Sequence, residues 1–200
     1  EGKSASELSR KDEIFISNSG LISIAGGKLT GYRKMAERVV DLVIKKYFEE
    51  KELKKCNTDK VRLSGSEFDN AKDVMEYQKR TERQLHPYGL ESFSSYLVAN
   101  YGRNTNLILD QLSKQEGDKD DLALAKAELW YGVNHEMVIS PLDFFVRRTG
   151  MLFFHVNRLK NLREPVLSEF RQVFNWDDHR MNTERDALDK VIAEATLRNI

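Results

Sequence analysis

GLISIAGGKLTGYRKMAERVVDLV, residues 20–43, reads as a strand, a tight turn with adjacent glycines, and an amphipathic helix. The strand LISIAG (21–26) follows a second β-branched run, EIFIS (13–17), across NSG, whose Asn18 and Gly20 suit a short turn. The two runs form a hairpin or adjacent edge pieces of a larger sheet. Two strands alone are marginal in water, which implies further strands supplied from elsewhere. After Thr30, apolar residues recur at Met35, Ala36, Val39, Val40, Val43, Ile44 and Tyr47, with Glu37, Arg38, Asp41 and Lys45 on the other face.

A helix starting near Thr30 or Gly31 directly after Gly26 and Gly27 leaves several N–H groups at its N-terminus without partners. Together with the helix dipole, these favour a carbonyl oxygen, a phosphate or a carboxylate. Adjacent glycines let another molecule approach the backbone closely. Lys28 adds a mobile positive charge, and Thr30 caps the helix or donates a hydrogen bond. GGKLT is not a P-loop, and no G-x-G-x-x-G occurs anywhere in the chain. The residues alone therefore leave a ligand-facing turn and an ordinary strand-to-helix turn equally open.

The rest of the chain narrows the class. Lys+Arg and Asp+Glu are both 32, so no basic excess points to nucleic acid. One cysteine, Cys56, excludes an intramolecular disulfide framework and any multi-cysteine metal site, and a reducing, cytoplasmic compartment suits it. His86, His135, His155 and His179 are scattered without metal-ligand spacing, so no metal is expected. No apolar run approaches the length of a membrane span. The opening EGKSASELSRKDE carries no signal peptide and reads as the middle of a longer protein.

FEEKELKKCNTDK is a charged connector, and composition shifts there. The expected organisation is residues 1–52 as one piece and 58–200 as an all-helical domain. Its helices are expected at 68–85, 91–101, 104–114, 122–135, 161–174 and 178–198. In SPLD, Ser140 is the expected N-cap, Pro141 the first helical residue and Asp143 the third. Phe144, Phe145, Phe153 and Phe154 are expected in the core. Trp130 is expected on the face of Leu122 and Val133, and Arg147 and Arg148 part-buried against Asp143 or Glu136.

SRKDEIF followed by SGLISIAGGKLTGYRKMAERVVDLV closely resembles the FAD-dependent glycerol-3-phosphate dehydrogenases of the respiratory type. SPLDFFVRRTGMLFF is similar to that family's C-terminal domain, about 100 residues further on and in the family's order. The resemblance implies a mainly α chain: a C-terminal helical domain preceded by a strand–turn–helix remnant of a Rossmann-like FAD-binding domain. It implies oxidation of sn-glycerol 3-phosphate to dihydroxyacetone phosphate, with hydride passing to FAD and electrons to membrane quinone.

The same resemblance places Gly26, Gly27, Lys28, Leu29 and Thr30 against the pyrimidine side of the flavin. Lys28 and Arg10, the latter in SRKD, become the candidate catalytic residues beside the substrate. Most flavin contacts are missing from this chain, so by itself it is expected neither to hold FAD tightly nor to turn over. An oxidase of the same fold, which makes hydrogen peroxide, is the nearest alternative. A non-catalytic helical docking module, forming a homodimer or resting on the inner face of the cell membrane, is the other.

Overall fold

A computed structural model of the chain describes residues 12–117 and 119–197. The described residues are mainly helical, with one two-stranded sheet, and divide into two compact units that meet in sequence between Arg62 and Leu63. Arg10 lies outside the described residues.

In the first unit, β1 (Glu13–Ile16) and β2 (Ile22–Ala25) pair antiparallel, with Glu13 opposite Ala25 and Ile16 opposite Ile22. They form the hairpin form of the expected pair. The loop closes through the Ser17 N–H on the Leu21 carbonyl (3.0 Å) and the Gly20 N–H on the Ser17 carbonyl (3.0 Å). Gly20 has φ 87°, a value that glycine takes without a Cβ clash. A single 3-10 turn over Leu29–Gly31 leads into α1 (Tyr32–Tyr47), so the α-helix begins slightly later than its apolar pattern suggested. Among the described residues up to Arg62, none is buried. A hairpin and a helix with this much apolar surface and no interior of their own belong to a larger packing unit.

The second unit is helical. Asn70 caps α2 (Ala71–Leu85), its side-chain oxygen accepting the N–H groups of Lys72 (2.9 Å) and Asp73 (3.1 Å). This cap sets the start three residues after Phe68, the expected first residue. Then come α3 (Ser94–Tyr101), α4 (Thr105–Lys114) and α5 (Asp121–His135). Gly102 ends α3 as expected, but for a reason the sequence did not carry. A Cβ there would collide with the Gly65 carbonyl, and one on Gly65 with the Tyr101 carbonyl. The Arg103 N–H donates to that same Gly65 carbonyl at 2.9 Å. Residues around Gly65 are thereby pinned to the α3–α4 junction.

Helix α5 lies between two apolar clusters. Ala125 and Leu129 belong to one, while Leu124, Ala127 and Tyr131 belong to the other. A helix with apolar residues on opposite sides packs on both of them. Trp130 packs against the cluster containing Leu124, whereas Leu122 and Val133 pack against the other, so the three do not share a face as expected.

The chain turns helical at Pro141 and opens into a wider π-type turn over Asp143–Arg148. One turn, α6 (Met151–Phe154), precedes α7 (Val156–Phe174) and α8 (Asp178–Leu197). Phe144 and Phe145 are buried, but Phe153 and Phe154 are 67% and 79% exposed, contrary to expectation. A helix of one turn presents only part of its circumference inward, and there Met151 and Leu152 take those positions. Pro165 sits inside α7, where a lost hydrogen bond and ring clash cost about 3 kcal/mol. Burial of Leu159, Leu162, Val166, Leu167 and Phe170 offsets it at about 1.5–3 kcal/mol per side chain.

Ser140 and Asp143 form a reciprocal cap. The Asp143 N–H donates to Ser140 Oγ (3.2 Å), and Asp143 Oδ2 accepts the Ser140 N–H (3.0 Å) and the Ile139 N–H (3.2 Å). Arg147 adds a 2.6 Å contact to Asp143 Oδ1, and Arg148 donates to the Glu136 carbonyl at 2.6 Å. Both arginines find the expected partners but remain largely exposed.

Burial by itself would raise the Asp143 pKa. The Ile139 N–H, Ser140 and Arg147 outweigh it and hold the carboxyl below its ordinary value. A depressed folded-state pKa gives stability that is complete above the unfolded value and lost as pH falls through the folded one. Asp143→Ala should cost about 1 kcal/mol in urea denaturation at neutral pH. The gap to wild type should close as the pH falls below that of an ordinary aspartate. A constant gap down to strongly acid pH would contradict the assignment.

Candidate functional site

The glycine turn brings Gly26 to Thr30 together at the head of α1. Gly26 and Gly27 both lie at positive φ, 81° and 83°. Their left-handed geometry reverses the chain between β2 and the helix, a conformation open to glycine without strain. The Gly31 N–H donates to the Lys28 carbonyl at 2.8 Å, and the Tyr32 N–H donates to the Leu29 carbonyl. No side chain caps the 3-10 turn or α1, and Thr30 lies inside the turn. Among the described residues, no side chain caps the amide groups there.

Behind the turn, space is tight. A Cβ on Gly27 would lie 2.9 Å from Met35 Sδ and 3.3 Å from Asp12 Cβ. The missing side chain at Gly27 therefore lets the helix close against the turn. Two hollows adjoin the turn. One, of about 440 Å³, is lined by Ile24, Leu29, Tyr32, Met35, Ala36, Val39 and Val40, with Gly27 and Lys28 at its rim. The other, of about 310 Å³, is polar and faces Asp12, Thr30, Lys34 and Arg38. Gly27, Lys28 and Met35 line both, so the turn is the wall between an apolar slot and a polar one.

Electrostatics single out Lys28. Glu37 accepts from Arg33 (2.9 Å) and from Lys34 (2.5 Å), and those contacts, Lys34 first, hold its carboxyl below the ordinary range. Arg38 pairs with Asp12. Three nearby cations are thus matched by carboxylates. Lys28 is exposed and has no side-chain partner among the described residues. Such an arrangement suits a flat apolar molecule with an electron-rich edge toward the amides and the ammonium. Of the sequence candidates, Gly26, Gly27, Lys28, Leu29 and Thr30 are brought together; Arg10 is outside the described residues.

Sequence reasoning missed a second polar centre, in the helical unit. Glu128 on α5 is 1% exposed. Its Oε1 accepts from the Tyr96 hydroxyl (2.6 Å) and the Tyr101 hydroxyl (3.0 Å), and its Oε2 from Arg158 Nη2 (3.1 Å). Arg158 also donates to Asp121 at 2.7 Å and stacks over Phe93 and Tyr96. A glutamate amid the apolar residues of LALAKAELW was the available signal, since a charge buried among apolar neighbours must be paired. Among the described residues, no group of three or more His, Cys, Asp or Glu could hold a metal ion. No described helix is long and apolar enough to cross a membrane.

Comparison with known proteins locates the chain. It is 40% identical over 205 residues to the aerobic glycerol-3-phosphate dehydrogenase of Bacillus subtilis, a match taking in 98% of this chain and 37% of the relative. It is 35% identical over 204 residues to the enzyme of the same name from Staphylococcus haemolyticus, covering 100% of this chain and 36% of the relative. The chain thus spans little more than a third of the length of these curated relatives. The crystal structure of the glycerol-3-phosphate dehydrogenase from Bacillus halodurans, complexed with FAD, superposes with a TM-score of 0.78. There the identity is 37%, over 90% of this chain and 36% of that one. The family model for the C-terminal domain of alpha-glycerophosphate oxidase matches residues 56–181, well over half of the sequence, and the chain belongs to that family.

Proposed function

We propose that this chain is the C-terminal part of an FAD-dependent glycerol-3-phosphate dehydrogenase. In it, residues 1–52 complete the flavin domain and 58–200 form the helical domain. The observation that carries the reading is that the uncapped Gly26–Thr30 turn, with Lys28 unpaired among the described residues, lies in a chain similar over 98% of its length to part of an aerobic glycerol-3-phosphate dehydrogenase. Its chemistry fits the group: uncapped amides and an exposed ammonium beside an apolar slot suit the oxygen-bearing edge of a planar ring.

Bound FAD would supply an acceptor for the hydride at C2 of sn-glycerol 3-phosphate. The chain's own residues hold and polarise. Leu29 and Thr30 present backbone N–H groups toward the pyrimidine edge, Gly26 and Gly27 shape the approach, and α1 aims its positive end there. Lys28 would supply full charge to the same edge, and Arg10, in SRKD, is our candidate for the substrate phosphate. Quinone is the acceptor we favour, at the inner face of the cell membrane, with the helical domain available for peripheral contact or dimerisation. Oxygen is the second reading, because the matched family model is described from an oxidase.

The test is anaerobic addition of sn-glycerol 3-phosphate to the purified full-length protein. Bleaching of a flavin absorbance band is expected, followed by reoxidation with a soluble quinone and little peroxide. A colourless protein, or a flavin that the substrate does not reduce, would defeat the proposal. Stoichiometric peroxide in air, with quinone inert, would select the oxidase. The 200-residue chain alone is expected to purify colourless, because none of the described residues of its part of the site is buried.

A further inference from the structure

We infer that Asp12, Arg38 and Met35 are positioning residues that set the direction in which the Gly27–Lys28 turn presents its amides and its ammonium. The flavin consequence rests on the function proposed above; the mechanical part stands on the geometry alone. The Gly27–Lys28 segment has no side chain of its own to brace it on the inner side. What lies there instead is Met35 Sδ, 2.9 Å from the position of a Gly27 Cβ, with Cε at 3.1 Å and Asp12 Cβ at 3.3 Å.

Asp12 precedes β1, whereas Met35 and Arg38 belong to α1 and share a face at i and i+3. The Asp12–Arg38 ion pair therefore ties the start of the hairpin to the helix across the back of the turn. Met35 fills the gap that the tie encloses. Hairpin, turn and helix meet at these three side chains, and all three line the polar hollow beside Lys28.

The pair is half-exposed at Arg38, so its worth as a stabilising contact is small. Its effect is geometric: it fixes where the chain enters β1 relative to α1, and so the path left for residues 26–31. Loss of the tie frees the turn to open away from the helix. The reporters are two hydrogen bonds inside it, from the Gly31 N–H to the Lys28 carbonyl and from the Tyr32 N–H to the Leu29 carbonyl.

The experiment uses the full-length protein with Arg38→Ala, Asp12→Asn, Met35→Ala and the charge-retaining Arg38→Lys. Amide hydrogen exchange at Gly31 and Tyr32, the flavin midpoint potential and thermal unfolding are measured for each. The first three variants should exchange about threefold to fivefold faster at those two amides while unfolding near the wild-type temperature. Each should also lose about tenfold in stabilisation of the reduced flavin, ~30 mV for a two-electron couple. Arg38→Lys should behave like wild type.

Unchanged exchange in folded variants would overturn the inference. Faster exchange with an unmoved potential would overturn the positioning role and leave ordinary local packing. A parent protein without flavin would instead defeat the proposed function, while the exchange data still decide whether these residues hold the turn. If Met35→Ala does not fold, Arg38→Ala and Asp12→Asn decide alone.

Discussion

Glu128→Ala is expected to destabilise the helical unit by about 3–5 kcal/mol, the cost of breaking a buried ion pair from one side. The carboxylate is almost fully buried and serves three donors at once: two tyrosine hydroxyls and a guanidinium. Its removal leaves Arg158, whose side chain is 11% exposed, charged and facing the space with only Asp121 in support. Both tyrosine hydroxyls also lose their acceptor, at about 1–3 kcal/mol for each group left without a partner.

Burial, reinforced by the Glu128 charge, pushes the Tyr96 and Tyr101 hydroxyls well above the ordinary phenol range, so both stay protonated donors. Burial pulls the Arg158 pKa down, but Glu128 and Asp121 more than compensate and keep it charged. The two hydroxyls and the guanidinium therefore keep their protons at neutral pH.

Glu128→Gln should cost less, because the amide oxygen still accepts one or two of the three bonds. Glu128→Leu combined with Arg158→Met should recover much of the loss, since removing both partners removes the uncompensated charge. The measurement is the urea-denaturation midpoint and slope of each variant of this chain. If Glu128→Ala and the double variant were equally unstable, packing volume rather than pairing would be the cause. The consequence reaches beyond stability. Glu128, Tyr96, Tyr101 and Arg158 come from α3, α5 and α7, so this centre fixes three helices in register where the two apolar clusters meet.

That centre also marks what the sequence could and could not disclose. The hairpin and α1 were legible because each has a clean period: alternating β-branched residues up to Ala25, then helical spacing from Met35 to Tyr47. Asp143 and Ser140 were legible because a cap is a local device written in four consecutive letters. The start of α2 was misread because Phe68 looked like the first apolar residue of a helix. It packs instead edge-on against Tyr77, 5.5 Å away between ring centres, while Asn70 begins the helix.

Phe153 and Phe154 were misread for a different reason. Residue type predicts burial only when the element is long enough to have an inner face, and α6 is a single turn. Glu128 was overlooked because its partners lie 27 to 32 residues away in sequence, and no period links them. In the candidate site, the residues of the turn could be named from GGKLT, but its bracing could not. Met35 reads as one more apolar position on a helix face, and its place behind Gly27 emerges only when the chain has turned.

On the function proposed above, Lys28→Ala in the full-length protein is expected to lower kcat/KM by about 10²–10³-fold, the usual loss when one preorganised donor to a developing charge is removed. The size of the effect depends on what surrounds the ammonium. A charge 4 Å from a flavin oxygen is worth about 1 kcal/mol in bulk water and about 4 kcal/mol at the dielectric of a protein surface. In the described unit Lys28 is exposed, and the nearby carboxylates Asp12 and Glu37 are already committed to Arg38, Arg33 and Lys34. Its charge is therefore available rather than spent.

The larger figure applies once the rest of the flavin domain and the ring exclude water from the apolar slot beside it. The loss should then appear chiefly in kcat, because negative charge builds at the ring edge only as hydride arrives. Lys28→Arg should retain much of the rate, since charge is kept and only the reach of the group changes. Lys28→Met, which keeps the length and drops the charge, should resemble alanine. Steady-state kinetics with sn-glycerol 3-phosphate and anaerobic flavin reduction together separate the cases. A Lys28→Met enzyme that reduces its flavin at the wild-type rate would show that the ammonium stays in water during turnover. The N–H groups of Leu29 and Thr30 would then be the only positive end the turn offers to the ring.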